Sequence, residues 1–205
     1  MPGVTAWLGL NRIIEPKAGE TIAVSAASGA VGSVVGQLAK AAGCRVVDIA
    51  GGEEKCRYVV DTFGFNACVD YKAGKLYEDL KAATPDGIDG YFENVGGEVL
   101  DAVLGRMNAH GRIALCGMIS SYDGQPVPIK ASTVLLRQRL KVQGFIVTEQ
   151  MEVWPQALKR NSASGSPRGN CSSARASRRD WRTRRTRFSA CCTGRTSASR
   201  LVKLI

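Results

Sequence analysis

Short apolar runs alternate with segments of helical spacing along the chain, from residue 21 to about residue 159. The runs rich in β-branched residues predict strands at 21–25, 45–50, 67–70, 90–93, 112–116 and 140–147. Apolar residues three and four positions apart predict helices at 29–42, 53–63, 75–83, 98–107 and 149–159. Because the connections are short, this order predicts an α/β fold with a doubly wound parallel sheet that helices cover on both faces.

The charge of the chain is concentrated at one end. The formal net charge is +10, yet residues 1–159 carry 16 basic and 17 acidic side chains. Residues 160–200 carry 11 arginines and a single acid, Asp180, with almost no aliphatic side chains. Such a segment cannot bury enough apolar surface to offset the entropy lost on ordering, so we predict that it is disordered.

The N-terminal sequence and the spacing of the cysteines indicate the cellular compartment. No basic stretch precedes an apolar one at the start of the sequence, and no apolar run approaches the roughly 20 residues that cross a bilayer. The 7 cysteines are scattered, and only Cys191 and Cys192 lie close together. This spacing is typical neither of a disulfide framework nor of a metal site, so we expect reduced thiols in a cytoplasmic protein without a membrane partner.

A glycine-containing turn follows the first predicted strand. The sequence ASGAVG at 27–32 stands where that strand ends and a helix begins. This context is typical of the Rossmann turn that binds the diphosphate of a dinucleotide. We expect Gly29 to let the backbone approach the diphosphate and Gly32 to let the helix pack closely on the sheet. A tight turn without a ligand is the alternative, and Ala27 replaces the usual first glycine.

The residues after the second predicted strand bear on the choice of cofactor. An acid there usually binds the ribose hydroxyls of NAD, but this strand ends in Ala50-Gly51-Gly52 and Lys55 follows. A lysine near a 2′-phosphate makes charge-assisted contacts, so NADPH is favoured. In the alternative interpretation Lys55 is a solvated residue of the first helical turn, and Asp48, on the same strand face as Ala50, binds ribose if the register slips.

Three stretches of the sequence carry a family resemblance. They read AASGAVGSVVGQ at 26–37, YFENVGG at 91–97 and GRIALCG at 111–117. Together they resemble the zinc-independent medium-chain dehydrogenases/reductases, and among these the prostaglandin, alkenal and curcumin reductases. The resemblance covers residues 1–159 and returns at 201–205. It implies a Rossmann-type domain that binds NADPH.

The resemblance also implies a set of site residues: the glycine turn, a 2′-phosphate site, one residue near the cofactor, and two stretches along the nicotinamide. In that order they are Gly29, Ala30, Val31 and Gly32; Lys55 and Tyr71; Asn94; Cys116, Gly117, Met118, Ile119, Ser120, Ser121 and Tyr122; and Phe145, Ile146 and Val147. By position alone, Asn94 and Cys116 each close a predicted strand at its carboxyl end, where α/β sheets bind ligands. A turn-forming Asn, a buried structural Cys and, for Tyr71, an ordinary half-buried aromatic are the alternatives.

Members of this family transfer a hydride from NADPH to the β-carbon of α,β-unsaturated ketones or aldehydes. Negative charge then collects on the carbonyl oxygen, which a hydroxyl donor stabilises. Tyr122 matches the family's substrate-side tyrosine and is the candidate catalytic residue, with a loop tyrosine of no catalytic role as the alternative. No metal is expected, because His110 is the only histidine and has no Cys partner at ligand spacing. We expect His110 on the surface, in a turn between a helix and a strand.

The chain departs from the family in two places. Members carry a catalytic β-rich domain of about a hundred residues before the cofactor domain, and we expect that domain to be missing here. In addition, codons for residues 180–193 can, in another frame, give the family's expected sequence. The expected organisation is therefore an NADP-binding domain at 1–159, an out-of-frame disordered segment at 160–200 and a family-like end at 201–205. A genuine basic tail for nucleic acid or for acidic partners is the rival interpretation.

The expected function is an NADPH-dependent reduction of enones or enals, of which this chain holds mainly the cofactor-binding domain and has little or no turnover alone. A non-catalytic NADPH-binding or interaction module is the alternative. The expected partners are a small enone or enal substrate and no nucleic acid. Because family members often pair through the edge of this sheet, a homodimer of the intact protein is a further expectation.

Overall fold

The structure is a computed structural model that describes residues 1–125 and 127–157. Within these residues the strands are β1 Thr21–Ser25, β2 Arg45–Ala50, β3 Ala67–Asp70, β4 Ile88–Glu93, β5 Met107–Leu115 and β6 Lys141–Gly144. The α-helices are α1 Pro2–Leu8, α2 Gly32–Ala41, α3 Glu53–Phe63, α4 Leu76–Ala83, α5 Gly97–Leu104 and α6 Thr133–Arg137. A π-helical segment spans Gly9–Ile14, and short 3₁₀ turns span Tyr71–Ala73, Ile119–Ser121, Val147–Glu149 and Met151–Val153.

The strands form one parallel sheet in the order β3-β2-β1-β4-β5-β6. The chain runs outward from β1 to β3 and then crosses back to place β4 on the other side of β1. The predicted doubly wound α/β fold is therefore confirmed. The loops after β1 and β4 leave in opposite directions, which creates a crevice at their carboxyl ends, the usual place for a ligand in such sheets.

Apolar side chains cover the sheet on both faces. On one face Leu8, Ile13 and Val35 pack with the strands, and on the other face Leu80 and Leu100 do so. Every residue of β1 is buried as a consequence. This explains why the middle of β1, Ile22 to Val24, is continuously apolar rather than an alternation of apolar and polar residues.

Several predicted boundaries shift. The helix predicted at 98–107 ends at Leu104, and β5 starts at Met107 instead of 112. His110 therefore lies within β5 rather than in a turn, which corrects the prediction. It is exposed, as expected, and its φ of 64° accommodates an irregularity of the strand, since the pairing register of β5 with β4 shifts there.

Other differences concern the ends of the described chain. The helix predicted at 29–42 starts later, at Gly32, and the last strand is confined to Lys141–Gly144. In place of a helix from 149, two 3₁₀ turns precede helical residues at 154–157. The helices α1 and α6 and the π-helical segment had not been predicted. The predicted segments at 160–200 and 201–205 lie outside the described residues.

The described residues contain no helix that combines the length and the apolar character needed to cross a membrane.

Candidate functional site

The turn after β1 presents backbone amides at the crevice. Gly29 N donates to Ala26 O at 2.9 Å and closes the turn, and Ala26 has a left-handed φ of 55°. Among the described residues, the hydrogen bonds of this region leave the amides of Ala30, Val31 and Gly32 without a protein acceptor. Free amides beside the positive end of a helix dipole bind anions, and phosphates in particular. This part of the chain can therefore hold a diphosphate.

The two glycines of the turn differ in how much room they have. A Cβ atom on Gly32 would lie 2.7 Å from Ala26 O and from the Cα of Ala27, which are backbone atoms that cannot move aside. A Cβ on Gly29 would lie 3.1 Å from Ala26 O, which is also a close contact but a less severe steric clash. Gly32 thus allows α2 to approach the turn closely, in agreement with the packing role predicted for it.

Asp48 stabilises the turn after β1 through a buried hydrogen bond. Its side chain is fully buried, and its Oδ1 accepts a hydrogen bond from Ala27 N at 2.9 Å. Burial raises the pKa of this carboxyl from 3.8 to about 7. The alternative in which Asp48 binds a ribose does not hold in this structure, because the carboxyl is enclosed and already bonded to the turn.

A polar clamp joins the ends of β1 and β4. Asn94 N donates to Ser25 Oγ at 2.8 Å, and the Asn94 side-chain amide donates to Ser25 O at 2.7 Å. The Ser25 hydroxyl donates in turn to Glu93 Oε1 at 2.9 Å, and both Ser25 and Glu93 are fully buried. Asn94 therefore directly follows β4 as predicted, and its side chain ties together the two strands that border the crevice.

The residues predicted for the 2′-phosphate lie around one loop. Lys55 is half-buried in the first turn of α3, and Tyr71, which is 40% exposed, opens the 3₁₀ turn after β3. The Tyr71 ring packs on the loop, since a Cβ on Gly51 would lie 2.9 Å from it. The loop is held by Gly52 N, which donates to Asp70 Oδ1 at 2.7 Å. The structure thus brings Lys55 and Tyr71 to the same edge of the sheet.

The stretch predicted for the nicotinamide follows β5 and lies along the loop after β4. Cys116 N donates to Glu93 O at 2.9 Å, and Ser120 N donates to Val95 O at 2.9 Å. Burial raises the pKa of the Cys116 thiol to about 11, so this thiol stays protonated. Tyr122 follows the 3₁₀ turn at Ile119–Ser121, and its side chain is 68% exposed.

The three predicted residues Phe145, Ile146 and Val147 differ in their burial and packing. The Phe145 ring packs edge-to-face on Phe92 with centroids 6.2 Å apart, so the core accounts for its position. A Cβ on Gly9 would lie 2.5 Å from the Phe92 ring, which shows how closely the π-helical segment covers this pair. Ile146 is 57% exposed, whereas Val147 is half-buried against the core.

The sequence-based prediction had missed the supporting roles of three residues. Ser25 and Glu93 orient Asn94, and Asp48 holds the turn. The sequence feature that could have indicated these roles is a polar residue within an apolar run, because an acid or a serine in a buried strand needs a hydrogen-bond partner. The sequence could not identify those partners, which are 21 residues away for Asp48 and 69 for Ser25.

A family model described as a zinc-binding dehydrogenase matches residues 30–163. The chain belongs to this family. It is 48% identical over 156 residues to the NADPH-dependent curcumin reductase of Escherichia coli strain K12, covering 73% of this chain and 45% of that protein. It is 48% identical over 161 residues to the NADP(+)-dependent 2-alkenal reductase of Nicotiana tabacum, covering 78% of this chain and 47% of that protein.

A solved structure of CurA in complex with NADPH from Vibrio vulnificus is also similar, with 46% identity and a TM-score of 0.75. The match covers 80% of this chain and 52% of that one. The chain therefore spans about half the length of the relatives that it matches.

The name of the family raises the question of a metal. Among the described residues no three or more His, Cys, Asp or Glu side chains are grouped in a way that could hold a metal ion. The single histidine, His110, is exposed, and its Nε2 accepts a hydrogen bond from Arg139 Nε at 3.3 Å. The donor set that the described residues offer does not fit a zinc site.

Proposed function

We propose that this chain is the cofactor-binding part of an NADPH-dependent reductase that acts on the C=C bond of α,β-unsaturated ketones or aldehydes. The observation that carries the proposal is the set of free amides from Ala30 to Gly32 at the crevice between β1 and β4. Relatives at 48% identity are named as NADPH-dependent or NADP(+)-dependent reductases of curcumin and 2-alkenals. Because the chain spans about half of these relatives, the activity is proposed for the longer protein.

The phosphate groups are proposed to bind at two places. The amides of Ala30, Val31 and Gly32 would hold the diphosphate, and Gly29 would allow it to approach the backbone. The ammonium group of Lys55 would pair with the 2′-phosphate, beside the Tyr71 ring. Both places lie at the carboxyl edge of the sheet, where the switch point lies, which supports this assignment.

The nicotinamide is proposed to lie toward the other half of that edge, beside Asn94, the stretch 116–122 and the stretch 145–147. When bound, NADPH supplies the hydride that the β-carbon of the substrate receives. The Tyr122 hydroxyl would donate a hydrogen bond to the substrate carbonyl oxygen, where negative charge develops. The 68% exposure of Tyr122 supports this role, since a small substrate can reach the side chain.

Zinc is not part of the proposal, since the donor set of the described residues does not fit a zinc site. Metal analysis of the purified protein tests this point. A stoichiometric zinc content, together with a loss of NADPH binding when the zinc is removed, would contradict the proposal.

A cytoplasmic location is proposed because the described cysteines, Cys44, Cys56, Cys68 and Cys116, are free thiols.

Pairing of two copies through β6 is proposed for the intact protein. All four residues of this edge strand are exposed, including Val142 at 41%, and Leu136 before it is 85% exposed. Unpaired strand edges with apolar neighbours favour association with another strand. Light scattering of the intact protein tests the proposal, and a monomer would contradict it.

No nucleic-acid partner is proposed, so association with oligonucleotides that weakens steeply with salt would contradict this expectation.

Titration calorimetry of the purified chain with NADPH and with NADH tests cofactor binding. Saturable binding that is tighter for NADPH is expected, and the absence of a saturable signal would overturn the proposal.

Reduction is tested separately by fusing this chain behind the N-terminal part of the tobacco 2-alkenal reductase and assaying a short-chain 2-alkenal. Turnover is expected in the fusion and little or none in the chain alone. A fusion that binds NADPH but does not reduce the alkenal would instead favour a non-catalytic binding module, an alternative consistent with the open surface around Tyr122.

A further inference from the structure

Two cysteines meet beside β3, an edge strand of the sheet. Cys56 lies in the first turn of α3 and Cys68 lies in β3, 12 positions later in the chain. Their Sγ atoms are 2.6 Å apart, and both residues are half-buried free cysteines. The scattered sequence positions did not predict this contact, which depends on α3 folding back over β3.

The pair borders a cavity of about 570 Å³ that both thiols line. Glu53, Asp70 and Asp79 contribute to the wall, with Ala82 and Ala83 among the apolar residues. A cavity of this size admits water and small solutes. The two sulfur atoms are therefore packed against each other and are also within reach of a small oxidant.

We propose that Cys56 and Cys68 form an oxidisable dithiol, a modification site that a hydroperoxide converts to an intramolecular disulfide. The proposal is independent of the cofactor and of the reaction proposed above. It rests on the contact between the two sulfur atoms and on the cavity that gives access to them.

The chemistry has two steps. The Cys56 thiolate attacks the peroxide, so that an S–O bond forms, the O–O bond breaks, and the leaving oxygen takes a proton to become water or an alcohol. The Cys68 sulfur then attacks the Cys56 sulfenic acid, so that an S–S bond forms, the S–O bond breaks, and water leaves with the Cys68 proton. Overall, two thiols lose two electrons and two protons to one peroxide.

The electrostatics assign a role to each sulfur. The hydrogen bond from the Cys68 thiol lowers the pKa of Cys56, although burial and the charges of Asp48 and Asp70 act against it. That same contact, followed by burial, raises the pKa of Cys68. Asp48 Oδ2 lies 3.6 Å from the Cys68 sulfur and is the nearby base for its proton. Cys56, in the first turn of α3 where the helix dipole favours a thiolate, is therefore assigned as the nucleophile toward the peroxide, and Cys68, which lies in β3 beside Asp48, as the resolving thiol.

The chain supplies its own controls. Burial raises the pKa of Cys44 and of Cys116, the latter to about 11, so both remain protonated thiols. The Cys44 thiol donates to Lys17 O at 3.2 Å, away from the cavity. Under the same oxidant these two cysteines are expected to react far more slowly than the pair.

The test treats the full chain with a small excess of hydrogen peroxide and maps all 7 cysteines by peptide mass spectrometry. The expected product links the Cys56 and Cys68 peptides with the loss of two hydrogens, about 2 Da, and a dithiol reagent reverses it. The oxidised form should melt several degrees higher, because the bond constrains the unfolded chain. Peptides in which Cys56 and Cys68 stay reduced, or link to other cysteines, would overturn the proposal.

Two single substitutions separate the roles. In Cys68→Ser the Cys56 sulfenic acid should accumulate and be trapped by dimedone, whereas in Cys56→Ser the Cys68 thiol should stay largely unmodified. Circular dichroism verifies that each variant is folded. Equal reactivity of the remaining thiol in both variants would contradict the assignment of Cys56 as nucleophile, and the same disulfide mapping of the unaltered chain decides the proposal if either variant does not fold.

Discussion

Where β1 and β2 end, the glycine turn is tightly packed on its inner side: Asp48 is fully buried beneath it and Gly32 packs against the backbone of Ala26. Where β5 and β6 end, Tyr122 is 68% exposed and every residue of β6 is exposed. Both regions belong to the same edge of one sheet. The difference indicates that the turn proposed for the diphosphate is supported by contacts among the described residues, whereas the side proposed for the substrate is exposed.

The largest effect is expected from a change at the most enclosed point. Gly32→Val places a branched side chain against backbone atoms that a Cβ alone would approach to 2.7 Å. Overpacking of this kind costs on the order of 3 kcal/mol, and here it also displaces the free amides. We expect no detectable NADPH binding in calorimetry.

Gly29→Ala is the matched control for this substitution. Its Cβ would lie 3.1 Å from Ala26 O, so denaturant melts should show a folded domain with only a modest loss of stability. NADPH affinity should nevertheless fall, because Gly29 is proposed to face the diphosphate. If Gly32→Val bound NADPH as well as the unaltered chain, the glycine turn could not be the phosphate site.

The same contrast shows what the sequence could predict. The bounds of β1, β2, α3 and β3 agree with the prediction, because β-branched runs bordered by glycine or by helical spacing leave little choice. α1 and the π-helical segment were missed, since their helicity depends on packing against α2 and β5 and not on a local signal. Local patterns also cannot show that Arg112 Nε donates to Ile14 O, 98 residues away.

The position of the glycine turn could be predicted from the sequence, whereas the contacts that hold it could not. The turn at 29–32 has a local signature, and the structure places it at the crevice. The burial of Asp48 has no such signature, because an acid in an apolar strand can equally reach a ribose or a buried amide. That difference depends on the register of β2 beside β1, where Asp48 stands opposite Val24.

The second-largest effect is expected on the free energy of unfolding and arises from the ionisation of Asp48. Its pKa is about 7 in the folded chain and near 3.8 when exposed, so the folded state keeps a proton that the unfolded state releases. Stability should therefore fall as pH rises from about 4 to about 7, and then level off. Asp48→Asn keeps an acceptor for Ala27 N and removes the ionisation, so it should be the more stable form at pH 8 by roughly 2–4 kcal/mol.

Urea melts at several pH values compare the unaltered chain with Asp48→Asn. Their stabilities should converge as the pH falls below about 4, where the carboxyl is protonated in the folded state and becomes protonated in the unfolded state as well. Asp48→Ala is the contrasting variant, because it leaves the Ala27 amide without an acceptor and should be less stable than Asp48→Asn at every pH. A stability difference between the unaltered chain and Asp48→Asn that does not change with pH would show that the carboxyl ionises normally.

A smaller effect is expected at the 2′-phosphate. Lys55→Ala removes the ammonium group of a half-buried lysine, and loss of the proposed charge-assisted hydrogen bond should weaken NADPH binding by roughly tenfold. NADH affinity should stay unchanged, because NADH lacks that phosphate. Lys81→Ala, in the last turn of α4, is the control with an equal change in net charge. Equal losses for both cofactors would place Lys55 away from the 2′-phosphate.

The smallest effect is expected on the open side. Tyr122→Phe removes a hydroxyl from a side chain that is 68% exposed, so NADPH affinity of the chain should change by less than about twofold. In the fusion with the N-terminal part of an alkenal reductase, the same substitution should lower kcat about a hundredfold while the binding of NADPH stays constant, because the hydroxyl contacts charge that develops only during the reaction. Stopped-flow and steady-state rates measure this separation. An unchanged kcat would remove Tyr122 from the catalytic residues, and a parallel loss of NADPH affinity would mean that the open side also holds the cofactor before any substrate arrives.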